Sequence, residues 1–255
     1  MEEISYGMKD KVVLVTGGSR GIGLEIVRRL IHHEKARVAI CGRKQDGLEA
    51  ARSLLGEQDR LLALPAHIAR EDDVERLFDA VEQRFGRLDV LINNVGMNIM
   101  TPSLAETETN LWQKIIDTNL TGTFLCSRRA AALMKAQGGG KIVAVSSIAA
   151  RKAAPAMGIY GIAKAAVEMM TKVLAVELAP FNIQVNALAP SMVRTDFSKP
   201  FWSSEPLYRE IVRAIPLGRI AEPIDVVHPV LFLASRGSDF ITGHTLMVDG
   251  GASAL

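Results

Sequence analysis

The sequence predicts a doubly wound α/β fold, in which helices cover both faces of a parallel sheet. Short runs rich in β-branched residues alternate with longer stretches of helical periodicity, which is the pattern of repeated strand–helix–strand units. Several of the runs are apolar throughout, as expected of strands that are buried on both faces. The chain has 255 residues and no linker or repeat, so one such domain over residues 1–255 is expected.

Seven runs are predicted to be the strands of this sheet. They lie at Val12–Thr16, Arg37–Cys41, Arg60–Ala66, Leu88–Asn93, Lys141–Ser146, Ile183–Leu188 and Thr245–Val248. Helical periodicity marks the stretches Leu24–His33, Glu71–Phe85, Trp112–Lys135 and Gly158–Ala179. Residues 196–215 interrupt the alternation with aromatic side chains after the end of a strand, where such folds place a substrate lid.

Composition and charge exclude several classes of function. The formal charge of +2 is not gathered on one face, which argues against nucleic-acid binding, and no apolar run is long enough to span a membrane. Cys41 and Cys126 lack the spacing of metal ligands, so neither a disulfide scaffold nor a metal site is expected. No secretion signal is visible, which favours the cytoplasm. Residues 253–255 only weakly resemble a peroxisomal signal, since Ala254 replaces its basic residue.

The first strand runs directly into a glycine-rich turn that opens a helix. Gly17, Gly21 and Gly23 permit a tight turn and a close approach of the backbone to a pyrophosphate. The helix N-terminus adds free N–H groups and the positive end of a dipole. An ordinary tight turn remains an alternative, but the position in the first strand–helix connection favours dinucleotide binding. The spacing Gly17-x3-Gly21-x-Gly23 differs from the usual dinucleotide fingerprint.

This loop resembles the cofactor loop of the short-chain dehydrogenase/reductase family, and later motifs extend the resemblance over nearly the whole chain. In order, they are Asn93-Asn94-Val95-Gly96, Asn119, Ser147, Tyr160-x3-Lys164, Pro190–Thr195, Thr242-Gly243 and Val248–Gly251. Val95 and Ser191 depart from the family pattern, which has alanine and glycine there. The pattern is most similar to the NADP-dependent carbonyl and retinal reductases. It implies a Rossmann-type domain that moves a hydride between a nicotinamide cofactor and an alcohol–carbonyl pair.

Four residues are candidates for the chemistry. Tyr160 and Lys164 are i and i+4 on one helix face, and an adjacent ammonium favours the phenolate form of a tyrosine. Lowering a phenol pKa from about 10 to about 7 needs roughly 4 kcal/mol of differential stabilisation. We expect Tyr160 to be the general acid/base and Ser147 to donate a hydrogen bond to the carbonyl oxygen. The resemblance implies that Lys164 also grips the nicotinamide ribose and that Asn119 holds a proton-relay water. The alternatives are that Ser147 merely caps a turn and that Asn119 is a buried structural amide.

The residue that ends the second strand indicates which nicotinamide is used. Relatives that use NAD carry Asp there, whereas this chain has Gly42, followed by Arg43, with Arg20 in the glycine loop. Two guanidinium groups suit a 2′-phosphate, so NADP(H) is predicted, and NAD(H) is the alternative if Arg43 is solvated. His67 stands where many relatives carry Asp against the adenine, and only its neutral ring can accept that hydrogen bond.

The residues expected to bind the cofactor come from every motif of the resemblance. They are Gly17, Ser19, Arg20, Gly21, Ile22, Gly23, Arg43, His67, Ile68, Asn94, Val95, Gly96, Tyr160, Lys164, Pro190, Val193 and Thr195. The implied substrate pocket is largely apolar, which suits a bulky hydrophobic ketone or aldehyde. Its expected lining is Met97, Asn98, Ile148, Ala149, Ala154, Met157, Met192, Phe197, Phe201 and Trp202.

Several functions and assemblies stay open at this point. Arg151 and Lys152 either meet an anionic substrate, such as a thioester, or are solvated. Alternatives to a carbonyl reductase are an NAD-dependent alcohol or hydroxyacyl-thioester dehydrogenase, a 3-oxoacyl-thioester reductase, and a structural subunit that binds cofactor without turnover. Stretches 112–135 and 158–179 carry more apolar residues than one sheet face covers, which predicts a homotetramer, with a dimer as the alternative.

Overall fold

The computed structural model describes residues 4–57, 59–101, 103–153 and 156–254. In these residues seven parallel strands form one sheet in the order β3-β2-β1-β4-β5-β6-β7. The strands are β1 (Val12–Thr16), β2 (Arg37–Gly42), β3 (Leu61–Pro65), β4 (Val90–Asn93), β5 (Gly140–Val145), β6 (Ile183–Pro190) and β7 (Thr245–Val248). The predicted doubly wound sheet is confirmed, and each strand boundary lies within two residues of its expected position.

Helices pack on both faces of the sheet. They are α1 (Gly21–His32), α2 (Gln45–Leu55), α3 (Glu71–Phe85), α4 (Thr109–Ile116), α5 (Gly122–Ala136), α6 (Gly158–Leu178), α7 (Lys199–Trp202), α8 (Glu205–Arg213) and α9 (Pro223–Ala234). One core joins α1, α2 and α9 to the sheet, and the other joins α3, α5 and α6 to its opposite face. Over the described ranges, no helix combines the length and the apolar character needed to cross a membrane.

The predicted helix Trp112–Lys135 is not a single regular helix. A π-helical turn, Asp117–Thr121, separates α4 from α5. The Asn119 side chain donates to the Ile115 carbonyl at 2.8 Å, which is the acceptor that its own N–H would use in a regular α-helix. Periodicity in the sequence could not reveal this wider turn, because it depends on a side chain competing with the backbone.

The strand order places the functional motifs at one edge of the sheet. Because β1 lies between β2 and β4, the connections from β1 and β4 leave toward opposite faces and open a crevice at the carboxyl ends of the strands. The glycine loop after β1 and the Asn94–Gly96 turn after β4 meet at this crevice. The Asn94 amide donates to the carbonyls of Thr16 (3.0 Å) and Gly17 (3.2 Å), so the two turns are fixed to each other.

Candidate active site

A cavity of about 950 Å³ occupies the crevice at the carboxyl ends of the strands. It is lined by all the expected cofactor residues except Gly23, and by every expected substrate residue in the described ranges except Trp202. Ala154, also expected in the substrate pocket, lies outside the described residues, as does Leu255 of the weak peroxisomal signal. Residues of the segment 196–215, predicted as a lid and called the lid segment below, also line the cavity. One continuous space therefore joins the predicted cofactor site and the predicted substrate site.

The glycine loop has the geometry of a phosphate cradle. Gly17 and Gly21 have positive φ values of 68° and 56°, which other residues rarely adopt. A Cβ at Gly23 would lie 2.3 Å from the Gly17 carbonyl oxygen, so Gly23 serves the packing of loop against helix and does not line the cavity. Arg20 precedes α1 without capping it through its side chain, which leaves the first N–H groups of the helix available to an anion. These residues fit a dinucleotide pyrophosphate.

The end of the cavity next to β2 is cationic. Arg20, Arg43 and Lys44 all line it, and Gly42 leaves space beside them. The acidic residues among the described cavity lining, Asp196 and Glu210, both belong to the lid segment at the other end. The β2 end therefore has the charge that a phosphorylated ribose needs.

His67 lines the cavity but is not placed to accept the adenine hydrogen bond that its position implied; stacking of its ring on the adenine stays a prediction. The Ala69 N–H donates to His67 Nδ1 at 3.3 Å, so a neutral ring carries its own proton on Nε2 and has no free acceptor nitrogen. The His67 N–H is held by Asp73 Oδ2 at 2.8 Å. The backbone of Ile68 is therefore the better candidate for the adenine amino group.

Ser147, Tyr160 and Lys164 all line the cavity. The Ser147 hydroxyl lies close enough to the Tyr160 hydroxyl to lower the pKa of the phenol, and the Lys164 Nζ lies 5.7 Å from the centroid of the Tyr160 ring. Lys164 also donates to the Val145 carbonyl at 2.8 Å. Ser147 accepts a hydrogen bond from Ala149 N–H at 3.2 Å, so it caps the short turn after β5 and faces Tyr160 as well.

Burial dominates the protonation of the two titratable groups at this site. It raises the pKa of Tyr160 to about 12, and the neighbouring Ser147 hydroxyl offsets only part of this effect. Burial also lowers the pKa of Lys164 to about 8. Lys164 by itself therefore does not lower the phenol pKa, because desolvation outweighs the attraction between the two groups. A lower pKa in the presence of an oxidised nicotinamide, whose positive charge also favours the phenolate, stays a prediction. At a pKa of about 12 the phenol of Tyr160 is protonated at neutral pH.

Asn119 is fully buried, and its side chain is used for structure. Its amide donates to the carbonyls of Met97 (2.7 Å) and Ile115 (2.8 Å), and its Oδ1 accepts from Met97 N–H (3.1 Å). The Asn119 side chain is therefore the buried structural amide that we considered as the alternative. It holds Met97, the residue after Gly96, in the wall of the cavity. A water-relay role remains a proposal for the backbone of this turn.

Trp202 supports the lid segment instead of lining the cavity. Its indole Nε1 donates to Ser198 Oγ (3.1 Å) and to the Thr195 carbonyl (3.3 Å), and the Arg194 guanidinium lies 5.1 Å from its ring. Further apolar residues that were not among the expected pocket residues also line the cavity: Leu207, Ile211, Ala214, Ile215 and Ala252. All but Ala252 belong to the lid segment. Ile211, Ile148 and Met192 pack around the buried cluster of Ile215, Ile220 and Ala252.

The two basic residues between serine and tyrosine have different roles. Arg151 donates to Glu168 at 2.9 Å and does not line the cavity, whereas Lys152 does. Only Lys152 is therefore placed to meet an anionic substrate group. Glu168 was not expected from any motif.

The fold and the cavity define a class of protein, a Rossmann-type dinucleotide-binding oxidoreductase. Comparison with known proteins narrows the class. A family model described as enoyl-(acyl carrier protein) reductase matches residues 17–253. Dehydrogenase/reductase SDR family member 4 of Homo sapiens is 35% identical over 245 residues, covering 96% of this chain and 88% of the relative. The 3alpha-hydroxysteroid dehydrogenase of Mediterraneibacter gnavus is 38% identical over 248 residues, covering 96% and 98%.

Solved structures agree with these relatives. A gluconate 5-dehydrogenase from Burkholderia cenocepacia, solved with NADP and tartrate, has a TM-score of 0.92 and 31% identity, covering 98% of both chains. A short-chain type dehydrogenase/reductase from Mycobacterium ulcerans has a TM-score of 0.93 and 32% identity, covering 97% of this chain and 91% of that one. The chain therefore belongs to the short-chain dehydrogenase/reductase family, as its motifs indicated, and is an NAD(P)-dependent oxidoreductase.

Proposed function

We propose that this protein is an NADP(H)-dependent carbonyl reductase that uses Ser147, Tyr160 and Lys164. The observation that carries the proposal is the position of these side chains in one cavity, between a cationic, glycine-lined end and an apolar end beneath the lid segment. A nicotinamide cofactor, when bound, supplies the hydride. The chain itself has to hold the carbonyl group, give it a proton and keep water away from it.

The proton comes from Tyr160. Its phenol, kept protonated by burial, gives its proton to the carbonyl oxygen as the alcohol forms. Ser147 donates a hydrogen bond to the same oxygen and fixes it next to the phenol. Lys164 carries the nearest positive charge and stabilises the phenolate left behind, and we propose that it also binds the nicotinamide ribose. In the direction of oxidation the same groups act in reverse.

The substrate class follows from the apolar end of the cavity. Ile148, Met157, Met192, Phe197 and Phe201 line it, which favours a bulky hydrophobic ketone or aldehyde over a polyhydroxy acid. The relative named for a 3α-hydroxysteroid supports a bulky substrate, whereas the gluconate dehydrogenase represents the polar alternative. We propose that the lid segment closes over this end. A screen of hydrophobic ketones, aldehydes, sugar acids and secondary alcohols, followed by reduced-cofactor absorbance, separates these classes.

Preference for NADPH is the first specific prediction. If Arg20 and Arg43 bind the 2′-phosphate, kcat/KM with NADPH exceeds that with NADH. The double variant Gly42→Asp with Arg43→Ala is expected to weaken NADPH by about ten- to a hundredfold, since each charge-assisted contact contributes roughly 1.5–3 kcal/mol. The new carboxylate also repels the 2′-phosphate of NADPH and accepts a hydrogen bond from the free ribose hydroxyl of NADH. A Cβ at position 42 would lie 3.3 Å from Ser19 Oγ, a flexible hydroxyl, so the fold should accept aspartate.

Steady-state kinetics with both cofactors test this prediction. Arg52→Ala is the matched control, because Arg52 is an exposed arginine at the end of α2 that does not line the cavity. An equal or higher kcat/KM with NADH in the unmodified protein would show that the cationic end does not select the phosphate.

We further propose that the chain forms a homotetramer, with a dimer as the alternative. The outer face of α6 exposes Ile162, Met169, Val173 and Val176, the last with 77% of its surface accessible. These positions follow helical spacing, so they form one apolar stripe, and Phe124 on α5 is exposed as well.

Light scattering is expected to give a mass of two or four chains at micromolar concentration. Met169→Glu with Val176→Glu should reduce the mass by placing charges in the interface, whereas Leu54→Glu, at an exposed leucine of α2, should not. A mass of 27.6 kDa for the unmodified protein contradicts the proposal.

A further inference from the structure

A buried carboxylate outside the cavity joins the two segments that carry the candidate catalytic groups. Glu168 lies on α6, one helical turn beyond Lys164, and only 7% of its surface is exposed. Its Oε1 accepts a hydrogen bond from the Ser146 hydroxyl at 3.1 Å, and its Oε2 accepts one from Arg151 Nε at 2.9 Å. Both carboxylate oxygens are therefore used, and the charge is paired, as burial requires.

The two residues that bind Glu168 lie on either side of Ser147 in the chain. Ser146 directly precedes it, and Arg151 follows the 3₁₀ turn Ile148–Ala150. One carboxylate thus fastens both ends of segment 146–151 to the helix that presents Tyr160. The Arg151 side chain is 45% exposed, so water screens its side of the ion pair and the pair itself adds little to stability; its importance lies in where it holds the chain.

Two other contacts show how closely this segment is fitted to α6. Lys164 Nζ reaches across to the Val145 carbonyl. A Cβ at Gly161 would lie 2.7 Å from the Ala149 carbonyl oxygen, so the helix and the turn touch through their backbones. A small displacement of the turn therefore changes the position of Ser147 relative to the phenol, and misplacement by about 1 Å can lower a rate by ~10²-fold.

We propose that Glu168 and Arg151 form a positioning clamp, which sets the distance between Ser147 and Tyr160. The clamp rests on the proposed function, because it assigns no new reaction and acts through groups already placed at the carbonyl. Glu168 touches neither substrate nor cofactor in this arrangement, since it is not part of the described cavity lining. Its effect should appear in kcat and not in cofactor affinity.

The test uses Glu168→Gln, Arg151→Met and the double variant in the full-length chain. Glutamine keeps the shape of glutamate but is neutral, so the charge-assisted bond to Arg151 is lost. Its amide nitrogen cannot accept the Ser146 proton either, so Ser146 has to turn its hydroxyl to accept from the amide instead. We expect kcat to fall about 10- to 100-fold in Glu168→Gln, while the Kd for NADPH and for NADH stays within about twofold of the unmodified protein. Because the two side chains act as a unit, the double variant should lose less than the product of the two single losses.

Asp89→Asn separates positioning from loss of stability. Asp89 is a comparably buried carboxylate, bound by Val12 N–H (2.9 Å) and Arg87 (2.8 Å). It directly precedes β4, at the amino ends of the strands, whereas the cavity lies at their carboxyl ends. It should lower the melting temperature without changing kcat. Hydrogen exchange gives a readout that is independent of turnover, and Glu168→Gln should lose protection selectively in residues 146–151.

The outcomes distinguish the clamp from the proposed function. A kcat within twofold of the unmodified protein in Glu168→Gln overturns the clamp, as does a kcat loss matched by Asp89→Asn. If the unmodified protein itself reduces no carbonyl compound with either cofactor, the proposed function fails. The hydrogen-exchange experiment then tests the clamp without any activity measurement. Unchanged exchange protection of residues 146–151 in Glu168→Gln rejects the clamp.

Discussion

Replacing Tyr160 with phenylalanine is expected to lower turnover by ~10²–10⁴-fold, which is the usual contribution of general acid–base catalysis. The phenol is our proposed proton donor; it lies in the wall of the cavity, and its pKa of about 12 keeps it protonated over the whole neutral range. Phenylalanine retains the ring that lies 6.3 Å from Phe197 and loses only the hydroxyl. Cofactor affinity, measured by fluorescence titration, should therefore change little.

The matched control is Tyr6→Phe. The Tyr6 hydroxyl also has a described hydrogen-bond partner, His228 Nδ1 at 2.9 Å, but Tyr6 belongs to the N-terminal segment before β1 and does not line the cavity. Removing it should affect stability alone. Near-normal turnover in Tyr160→Phe would remove the tyrosine from the mechanism and leave the cavity as a binding site only.

The fold was predictable because its signals are local. Apolar runs predicted the strands, which are four to eight residues long, and the glycines of the first loop stand where a positive φ or a 2.3 Å backbone approach excludes other residues. The candidate Ser147, Tyr160 and Lys164 came from spacing together with the family resemblance. The structure brings them into one cavity, as that resemblance implied.

The remaining features depend on contacts that no local pattern contains. The direction of the Tyr160 pKa follows from how deeply the fold buries the phenol, which spacing to a lysine cannot give. Trp202 looked like a pocket residue from its place in an aromatic segment, yet its indole is turned toward Ser198. In the sequence, Glu168 is only a charged residue within an apolar stretch of a predicted helix. Its hydrogen bonds with Ser146 and Arg151 are visible only in the structure.

The substitution Lys164→Met is expected to stabilise the fold while it abolishes most of the activity. The lysine is 2% exposed, and burial lowers its pKa from 10.5 to about 8. Because the unfolded chain holds this proton more tightly than the folded one, the charge costs on the order of 3 kcal/mol of folding free energy below pH 8. Methionine removes that cost and gives up one hydrogen bond, worth about 1 kcal/mol, so a net gain of about 2 kcal/mol is expected at pH 7.

The pH dependence of this gain identifies its origin. Stability of the unmodified protein should rise relative to the variant as pH increases from 8 to 10.5, where the unfolded chain also loses the proton. Urea unfolding at several pH values measures the difference. Turnover of the variant should fall by about 10²-fold or more, and cofactor affinity by about tenfold, if the same ammonium stabilises the phenolate and binds the ribose as we propose.

Lys141→Met provides the comparison for a buried lysine whose charge is compensated. Its Nζ lies 2.9 Å from Asp239 Oδ1 and 3.0 Å from Gln184 Oε1, far from the cavity, so methionine there should destabilise the fold and leave turnover unchanged. The Lys164 ammonium has a described carbonyl partner, Val145, but no described carboxylate partner, so its charge costs stability, and we interpret that cost as a requirement of function. If Lys164→Met is less stable than the unmodified protein at pH 7, or turns over substrate within tenfold of it, that interpretation of the lysine is wrong.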